Sequence, residues 1–281
     1  MSATVAIVSG ASSGIGREAA LALRARGVVV YAAARRDMAD LAAAGLHTVP
    51  TDVTVDDSLT QLVDHVIATE GHINILVNNA GYGSYGAIED VPLAEARRQF
   101  DVNVFSAMRL TQLVTPHMAA RRTGRIVNVS SMGGRFAMAL GGWYHATKYA
   151  IEALSDALRQ EVRASGIDVV VIEPGLVRTN WTAIAAAHLR ETSGLGRYAV
   201  SAKNFADALD FAGQALATDP AVIGRIIAGA ALTPHPRTRY RAGAGAVPLS
   251  VLLPLMPDRV RDAGLAWFFA HVPQLLGYVR R

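Results

Sequence analysis

Tyr144 and Lys148 are the residues whose types and spacing point most directly to chemistry. They lie four residues apart at the start of a helical pattern that runs to about Ala164, so both side chains share one helix face. Tyrosine has a reference pKa of about 10, and a neighbouring ammonium group lowers that pKa because it favours the phenolate. Tyr144 is therefore a candidate general acid or base, although such pairs also occur on solvated helices.

A glycine-rich turn near the beginning of the sequence is the second candidate site. The strand pattern Val5–Ser9 leads into glycines at positions 10, 14 and 16, and a helical pattern over residues 17–26 follows. Glycines in this context let the backbone turn tightly and approach a pyrophosphate, while free amides at the helix N-terminus face the anion. The pattern predicts a dinucleotide-binding turn, with an ordinary glycine-rich turn as the alternative.

The end of the second predicted strand indicates which dinucleotide would bind. An acidic residue there would bind the ribose 2′-hydroxyl, but this sequence has Arg35 and Arg36. Two guanidinium groups suit a 2′-phosphate and therefore favour NADP over NAD. Asp37 weakens this preference because it could cap the next helix or take the part of the acid. Asp52 and Val53 follow the third strand and are candidates for the adenine edge, unless Asp52 only stabilises a turn.

Six short apolar strand patterns alternate with longer, alanine-rich helical patterns over the first two thirds of the chain. The strands are too apolar to be half exposed, which is typical of βαβ crossovers in a parallel sheet covered on both faces. Ligands bind beyond the carboxyl ends of such strands, and the glycine turn and the arginine pair lie at two of those ends. The predicted strands span residues 4–9, 28–33, 48–52, 73–78, 125–130 and 168–173.

Composition excludes several classes of protein. The 281 residues are 51% hydrophobic and 18% charged, which suits one folded domain and not a disordered chain. Cysteine is absent, which excludes disulfides and thiolate zinc sites, and the eight histidines lack metal-binding spacing, so no metal is expected.

The first ten residues indicate a strand, not a signal peptide, and the uncharged stretches are too short to span a membrane. The net charge of +4 arises in the last third, without the basic runs of nucleic-acid binders.

Three further polar motifs accompany the glycine turn and the Tyr144–Lys148 pair. Asn78-Asn79-Ala80-Gly81 ends the fourth strand, Asn103 lies within an apolar helical segment, and Ser130-Ser131 ends the fifth strand. Together these motifs resemble those of the short-chain dehydrogenase/reductase family over residues 5–179. The resemblance implies an α/β, single-domain Rossmann-like fold, with a doubly wound parallel sheet of about seven strands and helices on both faces.

The resemblance also implies a role for each residue of the family's catalytic tetrad. Tyr144 would transfer the proton as general acid or base, and Ser131 would polarise the substrate carbonyl. Lys148 would bind the nicotinamide ribose and lower the tyrosine pKa, while Asn103 would hold a water in the proton relay or only bend its helix. The residues expected at the cofactor are Gly10, Ser12, Ser13, Gly14, Ile15, Gly16, Arg35, Arg36, Asp52, Val53, Asn79, Ala80, Gly81, Tyr144, Lys148, Pro174, Gly175, Val177 and Thr179.

The sequence after Thr179 predicts the substrate side of one domain covering residues 1–281. Residues 180–202 are expected to form an apolar lid, and residues 233–281 a C-terminal extension similar to that of the 17β-hydroxysteroid and retinol dehydrogenase-like branch. Apolar side chains favour a lipophilic alcohol or ketone resembling a steroid, retinoid or polyketide. The residues expected to contact it are Met132, Met138, Gly141 and Trp181.

These features predict an NADP-dependent oxidoreductase that interconverts a lipophilic secondary alcohol and a ketone. A ketoreductase for carrier-bound polyketide or acyl intermediates and a non-catalytic NADP-binding sensor are the alternatives. By analogy we expect a cytoplasmic homodimer or homotetramer whose subunits pair through the helices carrying Asn103 and Tyr144. We do not expect the protein to bind nucleic acid. The C-terminal segment, with Trp267-Phe268-Phe269 near Arg280 and Arg281, would contact a lipid surface, a sister subunit or the active site.

Overall fold

Seven strands form one parallel sheet in the order β3-β2-β1-β4-β5-β6-β7. The computed structural model describes residues 3–279 and places helices on both faces of this sheet. The predicted Rossmann-like, doubly wound fold is thereby confirmed. The strands are β1 Val5–Ser9, β2 Val29–Ala34, β3 His47–Pro50, β4 Ile75–Asn78, β5 Gly124–Val129, β6 Ile167–Pro174 and β7 Arg239–Ala242.

Two layers of helices bury the apolar faces of the sheet. One hydrophobic core joins the strands to α1 and α9, and the other joins them to α3 and α5. All five residues of β1 are buried, which explains why the strands read as continuous apolar runs. The helices are α1 Gly14–Arg24, α2 Ala39–Ala43, α3 Asp56–Glu70, α4 Leu93–Phe100, α5 Ser106–Ala120, α6 Gly142–Val162, α7 Trp181–Ser193, α8 Ala199–Ala215, α9 Pro220–Leu232, α10 Ala246–Leu255 and α11 Asp258–Val279.

All six predicted strands agree with the structure to within two residues at each end. The third strand leaves the sheet two residues earlier than predicted, because β3 ends at Pro50 and not at Asp52. The backbone N–H of Thr51 still donates to Ala34, but that of Asp52 donates to the Ser58 hydroxyl at 3.0 Å. This contact turns the chain into α3 and brings Val53 to the cavity described below.

The strand order of the sheet reverses its direction between β1 and β4. Successive strands are added on one side from β1 to β3 and on the other side from β4 to β7. The loops that follow β1 and β4 therefore leave the sheet on opposite sides and open a crevice at the carboxyl ends of the strands. The predicted cofactor and catalytic motifs lie along this crevice.

The predicted C-terminal extension contributes the edge strand β7 to the sheet. Arg241 donates to Glu173 at 2.7 Å and Arg239 donates to Glu152 at 3.0 Å. Glu173 lies on β6 and is fully buried, and Glu152 is almost fully buried on α6. Because a buried carboxylate without a counter-charge is costly, the two arginines of β7 stabilise the packing of three elements.

The last two helices leave a large apolar surface exposed. Leu252 and Leu255 of α10 are 59% and 77% exposed, and Trp267 of α11 is 57% exposed. Among the residues that the structure describes, no helix is long and apolar enough to cross a membrane. Arg280 and Arg281 lie outside the described residues, so contact of this segment with lipid or a sister subunit stays a prediction. Pairing through α5 and α6 likewise stays a prediction.

Candidate active site

The glycine turn after β1 has the backbone shape of a phosphate cradle. Gly10 and Gly14 adopt the left-handed conformation, with φ of +66° and +57°. A Cβ at Gly10 would lie 2.8 Å from Ala80 Cα, and one at Gly16 would lie 2.5 Å from the Gly10 carbonyl oxygen. No acidic residue occupies the first turn of α1, so its free amides can face an anion. These residues therefore fit a dinucleotide pyrophosphate.

Asn79 fixes the glycine turn to the end of β4. Its Nδ2 donates to the carbonyl oxygens of Ser9 at 3.0 Å and Gly10 at 3.2 Å. The Ser9 hydroxyl in turn accepts the backbone N–H groups of Asn79 and Ala80, each at 3.1 Å. The two loops at the crevice thus form one rigid unit, with Gly81 beside them on the cavity wall.

Arginines surround the far end of the same crevice. Arg36 donates to the hydroxyls of Ser12 at 3.1 Å and Ser13 at 2.7 Å, which holds its guanidinium against the glycine turn. Arg35 is largely exposed, and its Nη1 lies 3.7 Å from Asp52 Oδ2. Arg98 of α4 also lines the cavity, a position that the sequence pattern did not indicate. The region can therefore hold a second phosphate near the ribose.

Asp52 and Asp37 are the two acidic residues that the sequence places near the arginines. Asp52 accepts the backbone N–H of Thr54 at 3.0 Å and its hydroxyl at 2.7 Å, and these bonds lower the pKa of the carboxyl group. Asp52 thus stabilises a turn and, unlike Val53, does not line the cavity. Asp37 is exposed and does not cap α2, which begins without a side-chain cap. Neither Asp37 nor Asp52 lines the cavity, whereas Glu95 of α4 does and accepts the Tyr82 hydroxyl at 2.8 Å.

Ser131, Tyr144 and Lys148 meet on the wall of the crevice between β5 and α6. The Ser131 hydroxyl accepts the backbone N–H of Gly133 at 3.0 Å and hydrogen-bonds to the Tyr144 hydroxyl. Lys148 follows one helical turn after Tyr144, and its Nζ donates to the Val129 carbonyl oxygen at 3.0 Å. Tyr144 and Lys148 are both buried. The arrangement places a serine hydroxyl, a phenol and an amine on one wall of the cavity.

Burial governs the pKa values of this group. It raises the pKa of the Tyr144 hydroxyl to about 12, although the hydrogen bond from Ser131 acts in the opposite direction. Burial also lowers the pKa of Lys148 to about 8, while the charge of Glu152 acts to raise it. The sequence-based expectation was a lowered tyrosine pKa, but among the described residues the Lys148 charge is not a cause of the Tyr144 shift. Tyr144 therefore holds its proton at neutral pH.

The lowered pKa of Lys148 predicts a pH dependence of stability. At pH below about 8 the amine is charged in both the folded and unfolded states. Between pH 8 and its ordinary pKa of 10.5 the unfolded state binds more protons, so the free energy of unfolding rises with pH. We expect the difference in unfolding free energy between wild type and Lys148→Met to rise by about 2 kcal/mol from pH 8 to pH 10. Urea denaturation of both proteins at the two pH values measures it.

Tyrosines that titrate at higher pH do not contribute to the difference between the two unfolding free energies, because both proteins contain them. A Lys203→Met variant, which removes an exposed lysine on α8, is the matched control and is expected to show no such change. A wild-type-minus-Lys148→Met difference that stays constant or falls with pH would contradict a buried, destabilised ammonium group.

Asn103 lies in a π-helical turn, Asp101–Phe105, between α4 and α5. Its Oδ1 accepts the backbone N–H of Tyr82 at 3.0 Å, and its Nδ2 donates to the Tyr82 carbonyl oxygen at 2.9 Å and to the Thr147 hydroxyl at 3.1 Å. The amide is therefore occupied in joining the loop after β4 to α6. It does not line the cavity, and the predicted part of Asn103 in a proton relay stays a prediction.

The loop after β6 forms the opposite wall of the crevice. A Cβ at Gly175 would lie 2.1 Å from the Ala244 carbonyl oxygen, so only glycine fits there. The loop is fixed to the end of α8 by the backbone bonds of Leu176 and Arg178 with Thr218. Thr179 then approaches Gly14, whose Cβ would lie 3.0 Å from Thr179 Cγ2. The loop thus narrows the crevice opposite the glycine turn.

The substrate side of the crevice is aromatic and aliphatic. Met132, Met138 and Trp181 line the cavity, whose volume is about 630 Å³. The Trp181 ring lies 5.0 Å from the Tyr144 ring, centroid to centroid. The segment predicted as a lid contains the whole of α7, and Ile184 and His188 of this helix also line the cavity. Few charged side chains reach this end, as expected for a lipophilic ligand.

The structure brings most of the predicted site residues to one cavity wall but leaves four of them behind it. Gly16, Asp52, Asn103 and Gly141 support their neighbours and do not line the cavity. A Cβ at Gly141 would lie 2.6 Å from Tyr85 Cε1, so this glycine makes room for a protein ring and not for substrate. The predicted residues on the wall are Gly10, Ser12, Ser13, Gly14, Ile15, Arg35, Arg36, Val53, Asn79, Ala80, Gly81, Ser131, Met132, Met138, Tyr144, Lys148, Pro174, Gly175, Val177, Thr179 and Trp181.

Sequence reasoning missed several polar residues of the wall, among them Tyr85, Arg98 and His188. Tyr85 follows β4 in a glycine-punctuated loop, and its position beyond the carboxyl end of a central strand was the signal that could have found it. Arg98 and His188 lie on helices whose cavity-facing side depends on tertiary packing.

Comparison with known proteins places these observations in a family context. The family model described as short chain dehydrogenase matches residues 4–189. A probable short-chain type dehydrogenase/reductase of Helicobacter pylori is 41% identical over 181 residues, which cover 63% of this chain and 66% of that protein. The chain thus aligns with slightly less than two thirds of that relative's length.

Two other proteins match nearly the whole chain. The NADPH-dependent 3-dehydrocapnine reductase of Ornithobacterium rhinotracheale is 30% identical, covering 92% of this chain and 94% of that protein. The crystal structure of a short-chain dehydrogenase from Streptomyces avermitilis is 33% identical with a TM-score of 0.77, covering 99% of this chain and 98% of that one. The narrower hydroxysteroid and retinol dehydrogenase-like branch stays a prediction.

Proposed function

Because the chain belongs to the short-chain dehydrogenase family of NAD(P)-dependent oxidoreductases, we propose that it is an NADPH-dependent reductase of a lipophilic ketone. One observation carries the proposal: Ser131, Tyr144 and Lys148 lie on the same cavity as the glycine turn and the arginine pair. A binding protein without turnover has no need for a buried serine, phenol and amine at the substrate end. The bound dinucleotide would supply the hydride.

Each polar side chain then has a defined task at the substrate oxygen. Tyr144 delivers its proton to the ketone oxygen, and a pKa of about 12 keeps that proton in place at neutral pH until it is needed. The Ser131 hydroxyl, already oriented by the Gly133 N–H, hydrogen-bonds to the same oxygen. Lys148 binds the ribose hydroxyls and stabilises the phenolate that remains after proton transfer.

NADPH is preferred over NADH in this proposal because of the charge at the ribose end of the cavity. Arg35 and Arg36 follow β2, where a 2′-phosphate is expected, and Arg98 adds a third positive charge. Arg36 is already held by two serine hydroxyls, so less conformational freedom is lost when it binds the phosphate. The relative from Ornithobacterium rhinotracheale, whose name includes NADPH dependence, supports the same preference.

The substrate class follows from the lining of the other end. Met132, Met138 and Trp181, with Phe136 and Leu209, offer apolar contacts and few polar groups that would hold the hydroxyls of a sugar. Within the proposal, α7 acts as the lid over this end, since Trp181 and Ile184 project from it onto the cavity. We place residues 180–202 in this lid.

Steady-state kinetics with NADPH and NADH against a panel of medium- and long-chain ketones tests the proposed function. We expect ketone-dependent oxidation of NADPH, slower reaction with NADH, and a rate that increases with the apolar size of the ketone. NADPH binding without turnover of any ketone or alcohol would contradict the proposal and favour a cofactor-binding sensor. Turnover only of carrier-linked ketones, with free ketones inactive, would favour the acyl-carrier alternative.

A further inference from the structure

Tyr85 is a buried tyrosine whose hydroxyl receives no partner from the described part of the chain. Only 3% of the residue is exposed, and it lines the same cavity as Tyr144. Other enclosed tyrosines are paired: Tyr31 donates to Glu70 at 2.9 Å and Tyr82 donates to Glu95 at 2.8 Å. The Tyr85 hydroxyl is not among the buried, unpaired side-chain atoms of the described residues, so it faces the cavity, where a ligand oxygen can accept its hydrogen bond.

The surrounding rings fix the direction of the Tyr85 side chain. Its ring centroid lies 5.6 Å from that of Tyr144, 5.7 Å from that of Trp181 and 5.8 Å from that of Phe205. Gly141 closes the remaining side, since even a Cβ there would come within 2.6 Å of Tyr85 Cε1. The hydroxyl is therefore held in one position near the Tyr144 end of the cavity.

The chemical character of this hydroxyl is that of a donor. Burial raises the pKa of Tyr85 well above its ordinary value of 10, and the nearby Tyr144 raises it further. The group stays a neutral phenol at any pH at which the protein would work, with one proton to donate. His145, whose ring centroid lies 6.4 Å from that of Tyr85, and His188 also line the cavity, so the Tyr85 phenol is one of few polar groups on a mainly apolar wall.

We propose that Tyr85 donates a hydrogen bond to a second oxygen of the substrate, close to the reacting carbonyl group. The inference rests on the proposed function, in which Tyr144 and Ser131 already occupy the two lone pairs of the reacting oxygen. The donor at Tyr85 is left for a neighbouring acceptor. The substrate is thus a lipophilic ketone that carries an ester, second carbonyl or hydroxyl oxygen within a few bonds of the keto carbon.

Substrate pairs separate this role of Tyr85 from a general packing role. The probes are three ketones of equal chain length: a plain alkyl ketone, a β-keto ester and a β-hydroxy ketone. Each is assayed with wild type, with Tyr85→Phe, and with Tyr149→Phe, which removes a hydroxyl from the exposed side of α6. We expect Tyr85→Phe to lower kcat/KM by about tenfold on at least one oxygen-bearing ketone, mainly through KM, and to lower it much less on the plain ketone.

The pattern across substrates decides between the outcomes. A loss that is much larger on the ester or on the hydroxy ketone supports the proposal and identifies the second oxygen. An equal loss on all three ketones, or no loss on any, overturns it, because the hydroxyl would then only pack or be idle. Circular dichroism and thermal unfolding of Tyr85→Phe verify that the variant is folded. If wild type reduced none of the ketones, the proposed function itself would fail, which is a different result from an unselective Tyr85→Phe.

Discussion

Tyr144→Phe is expected to lower kcat for ketone reduction by about 10²- to 10⁴-fold, which is the usual contribution of a positioned general acid. The substitution keeps the ring that packs against Trp181 and Tyr85 and removes only the oxygen that hydrogen-bonds to Ser131. NADPH affinity should stay close to that of wild type, because the glycine turn and the arginines are untouched. Steady-state kinetics and a fluorescence titration with NADPH measure the two quantities separately.

Tyr31→Phe is the matched control for the loss of a tyrosine hydroxyl. Tyr31 is fully buried in β2 and donates to Glu70, outside the cavity. Its loss should reduce stability by about 1 kcal/mol and leave kcat unchanged. Retention of most of the activity in Tyr144→Phe, with the control also active, would remove Tyr144 from the proton-transfer step.

Simultaneous replacement of Arg35 and Arg36 by alanine is expected to raise the Kd for NADPH by about 100-fold and to change the Kd for NADH little. The two cofactors differ only in the 2′-phosphate, so the ratio of their Kd values isolates contacts with that group. Arg36→Ala alone should account for most of the loss, because Arg36 is held against Ser12 and Ser13, whereas Arg35 is mostly exposed.

An exposed arginine outside the cavity, Arg121, provides the control for a general change in charge. Arg121→Ala should leave both Kd values as in wild type. If the double substitution weakened the binding of NADH as much as that of NADPH, the arginines would be stabilising the glycine turn and not binding the 2′-phosphate. If neither Kd changed, the preference for NADPH would have to come from elsewhere in the cavity.

The parts of this protein that sequence reasoning predicted well are those determined by local structure. The strand, glycine turn and helix around Gly10 follow each other without interruption, and their geometry depends on residues adjacent in the chain. Tyr144 and Lys148 likewise share a helix face whatever else surrounds them. The parallel sheet followed from the apolar character of its central strands, such as β1 and β4, which helices cover on both faces of the sheet.

The parts that could not be predicted depend on packing between distant segments. Asp52 reads as a cofactor contact until its oxygens are seen to accept from Thr54. Asn103 has its amide bonded to Tyr82 and Thr147, and nothing in the spacing of these residues indicates that bond. The direction of the Tyr144 pKa shift depends on burial, which outweighs the opposing hydrogen bond with Ser131, and a helical pattern does not contain that burial.

The arginines of β7 limit how this chain can be recombined with its relatives. The family model ends at residue 189, yet Arg239 and Arg241 beyond it neutralise Glu152 on α6 and Glu173 on β6. A chimera that took a foreign C-terminal third, in order to graft a new substrate preference, would separate these charges unless both glutamates were exchanged as well. The carboxylates before residue 189 and the guanidinium groups after it therefore have to be exchanged together, because each group neutralises the other.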